Sequence, residues 1–297
     1  MKTIRKVLFK VLPRKKYLEI VYCQKYGRKV NLNNPKLFTE KLFWLKMYNG
    51  KYLSEKINRI HDKYEAREYV KEVIGEKYLS KIYGVFNRPE DIDFDALPDK
   101  FVLKLTKMNG RNIVCTDKSN LNINEVVEKF NIWLKEPNEN MKYSEENYTF
   151  SGKPRIICEE SLFIGDNTPL EYTIHCFNGK AKLIIVDDVI TNSKGVIIDV
   201  IRNVYDLDWN LLDVDFGRKH SDKQDIRKPT NIIEMIEVAE KLAKGFPYVR
   251  VDLYNIDEKI LFRELTFIPM GGIIKIEPLE YDEKFGELLE LPKVDLF

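Results

Sequence analysis

Two acidic side chains face each other in a predicted hairpin near the end of the chain. The stretch VRVDLYNIDEKILFRELTFIPMGG alternates apolar and polar residues, so one strand face is apolar and the other carries Arg250 and Asp252. A turn at residues 257–259 sets Asp252 opposite Glu264. Facing carboxylates repel each other unless a cation or water separates them. Such oxygen ligands suit Mg²⁺, and the alternative is a solvated strand face balanced by Arg250 and Arg263.

The composition limits the class of protein. The chain has 297 residues, which is enough for one large domain or two to three small ones with a core of their own. The 49 Lys and Arg nearly balance the 47 Asp and Glu, so no nucleic-acid partner is expected. The four cysteines form no CxxC pair, which excludes a usual zinc motif and is typical of reduced thiols. Without a long apolar run or a cleavage site, we expect a cytoplasmic protein.

The first sixteen residues, MKTIRKVLFKVLPRKK, form a basic segment. They contain seven Lys or Arg and no acid, and their apolar residues recur at helical spacing. This pattern predicts an amphipathic helix. Peripheral contact with the inner face of an anionic membrane and docking of the apolar stripe on the protein itself both explain the pattern.

The chain divides into a helix-rich first third and a strand-rich remainder. Spacing of apolar residues predicts a helix from Asn34-Pro35 to Asn49-Gly50, further helix up to Gly75, and a strand at Phe101–Leu105. Later elements are predicted as a helix around residues 124–135, a strand at RIICEE, a hairpin turning at Asn178-Gly179, a charged surface loop at 213–229 and a helix ending at Gly245. This order indicates an α+β fold.

Two short acidic motifs offer a different chemistry. Asp206-Leu207-Asp208 and Asp213-Val214-Asp215 both have the DxD form that holds a metal ion and a nucleotide sugar in glycosyl transfer. Such short motifs also form turns or solvated loops. The three histidines lie far apart in the sequence, and no Walker A or GxSxG motif is present.

Several separated stretches resemble one family. They are NPKLFTEKLFWLK, HDKYEAREYV, DIDFDALPDKFVLK, PRIICEESL, FNGKAKLI, YDLDWN, FPYVRVDLY and ELTFIP. Together they resemble the TupA-like branch of the ATP-grasp superfamily over about residues 34–292. The resemblance implies an α+β ATP-grasp fold in which two subdomains clamp a nucleotide. The implied organisation is a basic segment at 1–30, a helix-rich region at 31–95, a smaller subdomain at 96–165, and a C-terminal subdomain with the metal and phosphate site at 166–297.

The resemblance also implies roles for the hairpin. Asp252 and Glu264 would bridge Mg²⁺, or Mn²⁺ in its place, on the phosphates of ATP. Thr266 stands where many relatives have an Asn metal ligand. Arg250 would neutralise the transferring phosphoryl group, and Lys104 would hold a phosphate.

Further roles concern the nucleotide. Glu159 and Glu160 fall at the implied hinge that receives adenine, and Glu171 falls where a carboxylate meets the ribose. Relatives have a phosphate loop resembling NHGSG, but LTKMNGRN places Lys107 at the histidine and leaves Gly110 as its glycine. Lys107 and Arg111 would then supply positive charge.

The implied activity is that of an ATP-dependent carboxylate–amine ligase. Its substrates would be a carboxylate-bearing glycan or sugar precursor of a bacterial surface polysaccharide, such as teichuronopeptide, and an amine or amino acid. A glycosyltransferase and a non-catalytic nucleotide- or glycan-binding relative are the alternatives. If Asp252 and Glu264 share Mg²⁺, Asp252→Asn relieves their repulsion and removes a metal ligand, so the stability of the ligand-free protein is expected to hold or rise while activity collapses.

Overall fold

The computed structural model describes residues 8–48, 54–107, 110–135, 153–162, 168–191, 197–220 and 226–293. Its seven assigned helices of at least seven residues are α1 Arg14–Tyr26, α2 Phe38–Tyr48, α3 Ser54–Ile60, α4 Lys63–Ile74, α5 Ile123–Lys135, α6 Ile232–Ala243 and α7 Leu279–Leu288. None of the helices in these ranges combines the length and apolar character needed to cross a membrane.

Two antiparallel sheets dominate the fold. The strands are β1 Ile82–Phe86, β2 Phe101–Leu105, β3 Asn112–Cys115, β4 Ile156–Glu160, β5 Glu171–Phe177, β6 Lys180–Thr191, β7 Ile197–Tyr205, β8 Asp215–Phe216, β9 Tyr248–Ile256, β10 Lys259–Thr266 and β11 Ile276–Glu277. The small sheet has the order β1-β4-β2-β3, and the large sheet has the order β10-β9-β5-β6-β7. The predicted strand at Phe101–Leu105 is confirmed, as is the turn at Asn178-Gly179 between β5 and β6.

Helices cover both faces of the large sheet. Successive side chains along each strand point to opposite faces, and apolar side chains are buried on both. Val249, Val251 and Leu253 of β9 pack with α4 and α6 in one core cluster. Tyr248 and Phe177 turn to the other face, where they pack with α1, α2 and α7. The small sheet has a separate core against α5. The α+β architecture expected from the sequence is therefore confirmed.

The N-terminal segments differ from the sequence expectation. Helix α2 begins at Phe38, three residues after Asn34-Pro35, because the carboxylate of Glu40 accepts hydrogen bonds from the backbone N–H groups of Lys36 and Leu37 at 2.9 and 3.3 Å. These bonds hold the preceding loop. Of the basic segment, residues 1–7 lie outside the described residues. Leu8, Phe9 and Leu12 pack against the core of α1 and α2, so this part docks on the protein.

The β9–β10 hairpin pairs Asp252 with Glu264 as predicted, but by another route. The predicted three-residue turn is wrong: Ile256 pairs with Lys259, which leaves a two-residue turn at residues 257–258 with positive φ at both positions. That turn alone would set Glu264 on the apolar face. A β-bulge between Phe262 and Glu264 shifts the register, so Arg263 and Glu264 both reach the polar face.

Helix α7 lies close to the chain that enters α2. A Cβ added at Gly286 would lie 2.0 Å from the carbonyl oxygen of Lys36 and 2.9 Å from the backbone nitrogen of Phe38. Nearby, Lys41 Nζ donates to the carbonyl of Gly286 at 2.7 Å. The absence of a side chain at Gly286 therefore permits this helix pair.

Gly286→Ala is expected to destabilise the protein by about 1–3 kcal/mol, because backbone atoms must move apart. Helix propensity alone predicts the opposite sign. Glu287→Ala, in the same turn but exposed, is the control and should change little. Chemical denaturation measures the free energy of unfolding. A stabilising Gly286→Ala would contradict the close approach.

Candidate active site

A cleft of about 580 Å³ lies between the two sheets and the α3–α4 junction. This volume is in the range of small-molecule and cofactor sites. Its charged lining comes from all three parts and comprises Lys63, Arg67, Lys104, Arg111, Glu159, Glu160, Glu171, Asp187, Arg202, Arg218, Arg263 and Glu264. Cations and acids both line the cavity and several of them form ion pairs, so an anionic ligand would meet several cations whose charges are already partly balanced.

The small-sheet wall is built on Glu159. Lys104 of β2 contacts Glu159 Oε2 at 2.7 Å, since β2 and β4 are neighbours, and Arg67 of α4 contacts Oε1 at 3.1 Å. Arg67 also donates to Ser80 Oγ at 3.0 Å. Burial raises the pKa of Glu159, but Lys104, Arg67 and Lys63 outweigh burial and lower it below its usual value. Glu159 is therefore a buried anion held by cations from two elements.

The large-sheet wall is built on Asp252, whose side chain is fully buried. Arg250 Nε and Nη2 donate to Asp252 Oδ1 and Oδ2 at 2.7 and 2.5 Å, and Arg263 Nη1 lies 3.4 Å from Oδ2. Arg263 Nη2 also lies 3.2 Å from Glu171 Oε1. The two guanidinium groups provide the positive charge that facing carboxylates require. Burial raises the pKa of Asp252, and Arg250 opposes that shift.

Glu264 has a different environment although it pairs with Asp252. It lines the cleft, and Arg263 Nη1 lies 4.0 Å from its Oε2. Burial raises the pKa of Glu264, but Arg263, Lys63 and Arg250 together lower it below the usual value. The two carboxylates are therefore shifted in opposite directions, and Glu264 is the one that presents a stable negative charge to the cleft.

A further cationic group closes the large-sheet side. Arg202 of β7 donates to Asp187 Oδ1 of β6 at 2.6 Å and pairs with its second oxygen, and Arg202 Nη1 donates to the carbonyl of Phe216 at 2.7 Å. Gly217 follows with φ +73° and turns the chain so that the exposed Arg218 lines the cleft. This turn lies in the stretch 213–229, which the sequence predicted as a charged surface loop. The stretch also contains the short strand β8.

The predicted site residues fall into two groups. Lys104, Gly110, Arg111, Glu159, Glu160, Glu171 and Glu264 all line the cleft. Lys107, Arg250, Asp252 and Thr266 are not among the described lining residues. Arg250 and Asp252 lie behind Arg263, and Thr266 pairs with Arg250 in the ladder. Lys107 lies where Asp62, Glu65 and Arg155 influence its pKa, which burial lowers.

The predicted adenine hinge is partly occupied by protein contacts. The backbone N–H of Glu160 donates to the carbonyl of Lys81 at 2.9 Å, and the side chain of Glu160 accepts from the N–H of Lys81 at 3.4 Å. The carboxylate of Glu159 is bonded to Lys104 and Arg67. The end of β4 is thus fixed against β1. The connection from β4 to β5 includes residues 163–167, which lie outside the described residues.

Sequence reasoning missed the contribution of the α3–α4 junction. His61, Lys63 and Arg67 line the cleft, although HDKYEAREYV served only as a family stretch. The available signal was the spacing of Lys63 and Arg67, which are four residues apart at the start of a helix and so share one face. Arg263 was predicted only as a balancing charge, and the pair Asp187–Arg202 was not predicted.

No aspartate of either DxD motif is among the described residues that line the cleft. Both carboxylate oxygens of Asp206 accept hydrogen bonds from Asn210, at 2.8 Å each. Asp215 Oδ1 accepts from the backbone N–H of His220 at 2.9 Å and contacts its Nδ1 at 2.6 Å. These contacts are typical of turn-forming acids.

The predicted metal ligands are only partly assembled. Glu264 faces the cleft, whereas both oxygens of Asp252 are bonded to Arg250. Within the part of the chain that the structure describes, no group of three or more His, Cys, Asp or Glu could hold a metal ion. A resident ion shared by Asp252 and Glu264 does not fit this arrangement. Glu264 alone fits as a protein ligand for a cation that enters with a phosphate compound.

Two antiparallel sheets enclose a charged cleft, one with a lysine-bearing strand and the other with an acidic hairpin, as the resemblance to the ATP-grasp fold implied. The chain belongs to the TupA-like ATP-grasp family, whose model matches residues 40–290. Among curated proteins, none matches the chain.

The solved structures that this chain resembles are distant from it in sequence. An L-amino acid ligase from Bacillus licheniformis is 15% identical, covers 90% of this chain and 57% of its own, and has a TM-score of 0.48. A D-alanine–D-alanine ligase from Bacillus anthracis, complexed with ATP, is 16% identical, with coverage of 71% and 54% and a TM-score of 0.41. This chain thus spans a little over half the length of these two proteins.

Asp252→Asn is expected to destabilise the ligand-free protein by about 3–5 kcal/mol, because it removes the fully buried carboxylate that pairs with the half-buried Arg250. The bonded pair therefore reverses the expectation from the sequence that stability would hold or rise. Glu237→Gln, an exposed acid in α6, is the control. Urea denaturation of both variants measures the change. Unaltered stability of Asp252→Asn would mean that Arg250 does not depend on this carboxylate.

His175 lies beneath the same row of charges. Its Nδ1 contacts the Tyr248 hydroxyl at 2.7 Å, and the ring packs on Phe216 at 4.9 Å between centroids. Its buried Nε2 has no hydrogen-bond partner among the residues that the structure describes. Burial lowers the pKa of His175 well below its ordinary value, and the charges of Arg250 and Arg202 add to that effect.

Because the folded state keeps His175 neutral, the unfolded state binds more protons below about pH 6.5, and stability should fall with pH in that range. His175→Gln removes this titration and keeps a group that can bond Tyr248. The variant should therefore lose less stability than the wild type between pH 7.5 and pH 5. Urea unfolding at both pH values tests this, and equal losses in both proteins would refute it.

Proposed function

We propose that this protein is an ATP-dependent carboxylate–amine ligase. The observation that carries the proposal is the cleft that gathers Lys104 of the small sheet and Glu264 of the large sheet around one cavity. Cations and a carboxylate from two separate sheets suit a nucleotide triphosphate clamped between them. Family membership supports the same conclusion.

In the proposed reaction, a carboxylate oxygen of the acceptor attacks the γ-phosphorus of ATP and ADP leaves, which gives an acyl phosphate. An amine then attacks the acyl carbon, loses a proton and displaces inorganic phosphate, leaving an amide. This chemistry needs positioning and charge neutralisation rather than a side-chain nucleophile. The cleft contains cations for that purpose, with Lys104 and Arg263 on opposite walls.

Within this proposal, Lys104, Gly110 and Arg111 hold the phosphates, Glu171 meets the ribose, and the end of β4 at Glu159 and Glu160 receives the adenine. Glu264 contacts the Mg²⁺, or Mn²⁺, that enters as part of the metal–ATP complex. Asp252 and Thr266 join it only if Arg250 releases Asp252. Lys107 and Arg250 act directly on the transferring group only after a side-chain movement toward the cleft.

The domain organisation proposed from the sequence gives the smaller clamp at 96–165 and the larger at 166–297, with the helix-rich region at 31–95 outside both.

The proposed acceptor is a carboxylate on a bacterial surface polysaccharide or its precursor, and the amine is an amino acid or related compound. The family resemblance and the exposed Arg218 at the cleft support an anionic acceptor. Membrane contact remains a proposal for residues 1–7, since Leu8 and Leu12 pack inward.

Mg-ATP is expected to raise the melting temperature of the protein, while UDP-sugars and CDP-sugars should not. Lys104→Met should weaken Mg-ATP binding by about 10- to 100-fold, since one charge-assisted hydrogen bond is lost. Lys100→Met, an exposed lysine before the same strand, is the control. The measurements are thermal shift and calorimetric titration.

Acceptor-dependent release of ADP and phosphate then separates an enzyme from a binding protein. Stabilisation by a nucleotide sugar instead of ATP would replace the ligase by the glycosyltransferase. Binding of Mg-ATP without turnover on any carboxylate and amine pair would favour the non-catalytic relative.

A further inference from the structure

The start of α4 is directed into the cleft by two local interactions. Asp62 caps the helix, accepting hydrogen bonds from the N–H groups of Tyr64 and Glu65 at 2.9 and 3.2 Å. The N–H of Lys63 instead donates to the carbonyl of Thr106, just beyond β2, at 2.8 Å. The first-turn N–H groups are therefore used within the protein. Beside His61, this junction contributes Lys63 to the lining of the cavity.

Lys63 lies between the two clamping sheets. The charges of Glu264 from the large sheet, and of Lys104 and Glu159 from the small sheet, all act on its ammonium group. Burial lowers the pKa of Lys63, and Glu264 opposes that shift most strongly. One helical turn further on, Arg67 contacts Glu159 at 3.1 Å. Helix α4 thus brings two cations to the cavity from outside both sheets.

Lys107, the cation expected at the phosphates, is in a different place. It lies near Asp62, Glu65 and Arg155, and Arg155 itself contacts Glu65 Oε1 at 3.1 Å and Asp62 Oδ1 at 3.5 Å. This cluster joins α4 to the chain before β4. Its charges balance one another beside the cleft, and Lys107 is not among the described lining residues.

We propose that Lys63 binds the terminal phosphates of the nucleotide and takes the place that the sequence assigned to Lys107. This inference rests on the proposed function. Lys63 shares the cavity with Lys104 and Glu264, so a triphosphate that reaches both of them lies beside its ammonium group. The helix-rich region then supplies part of the nucleotide site, and this region fixes the phosphate end through a side chain rather than a glycine-rich loop.

The test compares Lys63→Met with Lys107→Met, the residue that the sequence assigned to the phosphates. Lys71→Met, an exposed lysine of the same helix, is the matched control and should keep the wild-type affinity. Calorimetric titration with Mg-ATP should show at least a tenfold loss of affinity for Lys63→Met and less than a twofold loss for Lys107→Met. Titration with AMP, which lacks the terminal phosphates, should give the wild-type affinity in both variants. Lys63→Arg should retain Mg-ATP binding within a few-fold, because it keeps the charge.

A merely structural role would weaken AMP and Mg-ATP equally, and that result overturns the proposal, as does unchanged Mg-ATP affinity in Lys63→Met. Lys63→Gln, which keeps a polar end group without the charge, is the second variant if Lys63→Met does not fold. If the wild type binds neither Mg-ATP nor AMP, the proposed function fails. If the wild type binds Mg-ATP and Lys107→Met shows the larger loss, only the role of Lys63 fails.

Discussion

The fully buried carboxylate of Asp252 is the constraint on which the arrangement of the large-sheet wall depends. An isolated charge at this depth would cost several kcal/mol, so it needs partners with good geometry. Arg250, two residues away on the same strand face, supplies two hydrogen bonds, and the β-bulge brings Arg263 to the other side. Because Arg263 also reaches Glu171, the neutralisation of one acid fixes a row of side chains across three strands.

Arg250 and Arg263 neutralise Asp252 outside the cleft lining, so Glu264 is the acid of this pair that faces the cleft. The small sheet repeats this solution with Glu159, whose two oxygens are shared by Lys104 and Arg67. Helix α4 connects the two walls, since Arg67 bonds to the small sheet while Tyr69 and Val70 pack in the core of the large one. The relative position of the walls therefore depends on one helix with polar contacts on one side and apolar contacts on the other.

Much of this could be predicted from local sequence. The period of two in β9 identified the apolar face, and the facing of Asp252 and Glu264 was correct. The predicted turn of the hairpin was wrong, because the register also depends on a β-bulge, and the alternation of apolar and polar residues does not reveal a bulge. Contacts between residues far apart in the chain could not be predicted in this way. Arg67 and Glu159, for example, are 92 residues apart, and the packing of α4 brings them together. The spacing of Lys63 and Arg67 indicates a shared helix face, but the approach of Lys63 to Glu264 and Glu159 depends on the same packing.

The pairing of cations with acids in the cleft has an energetic consequence for any phosphate ligand. A phosphate that binds Lys104 competes with Glu159, which lies 2.7 Å from the same ammonium group, and so is bound in exchange for part of that contact. The affinity for the ligand is then the difference between two charge-assisted interactions rather than the value of one. Arg67 remains on Glu159 during such an exchange, so the carboxylate is not left unpaired and the exchange avoids the largest cost of breaking a buried ion pair. The shared carboxylate thus makes Lys104 the cation of this wall that can be released at low cost.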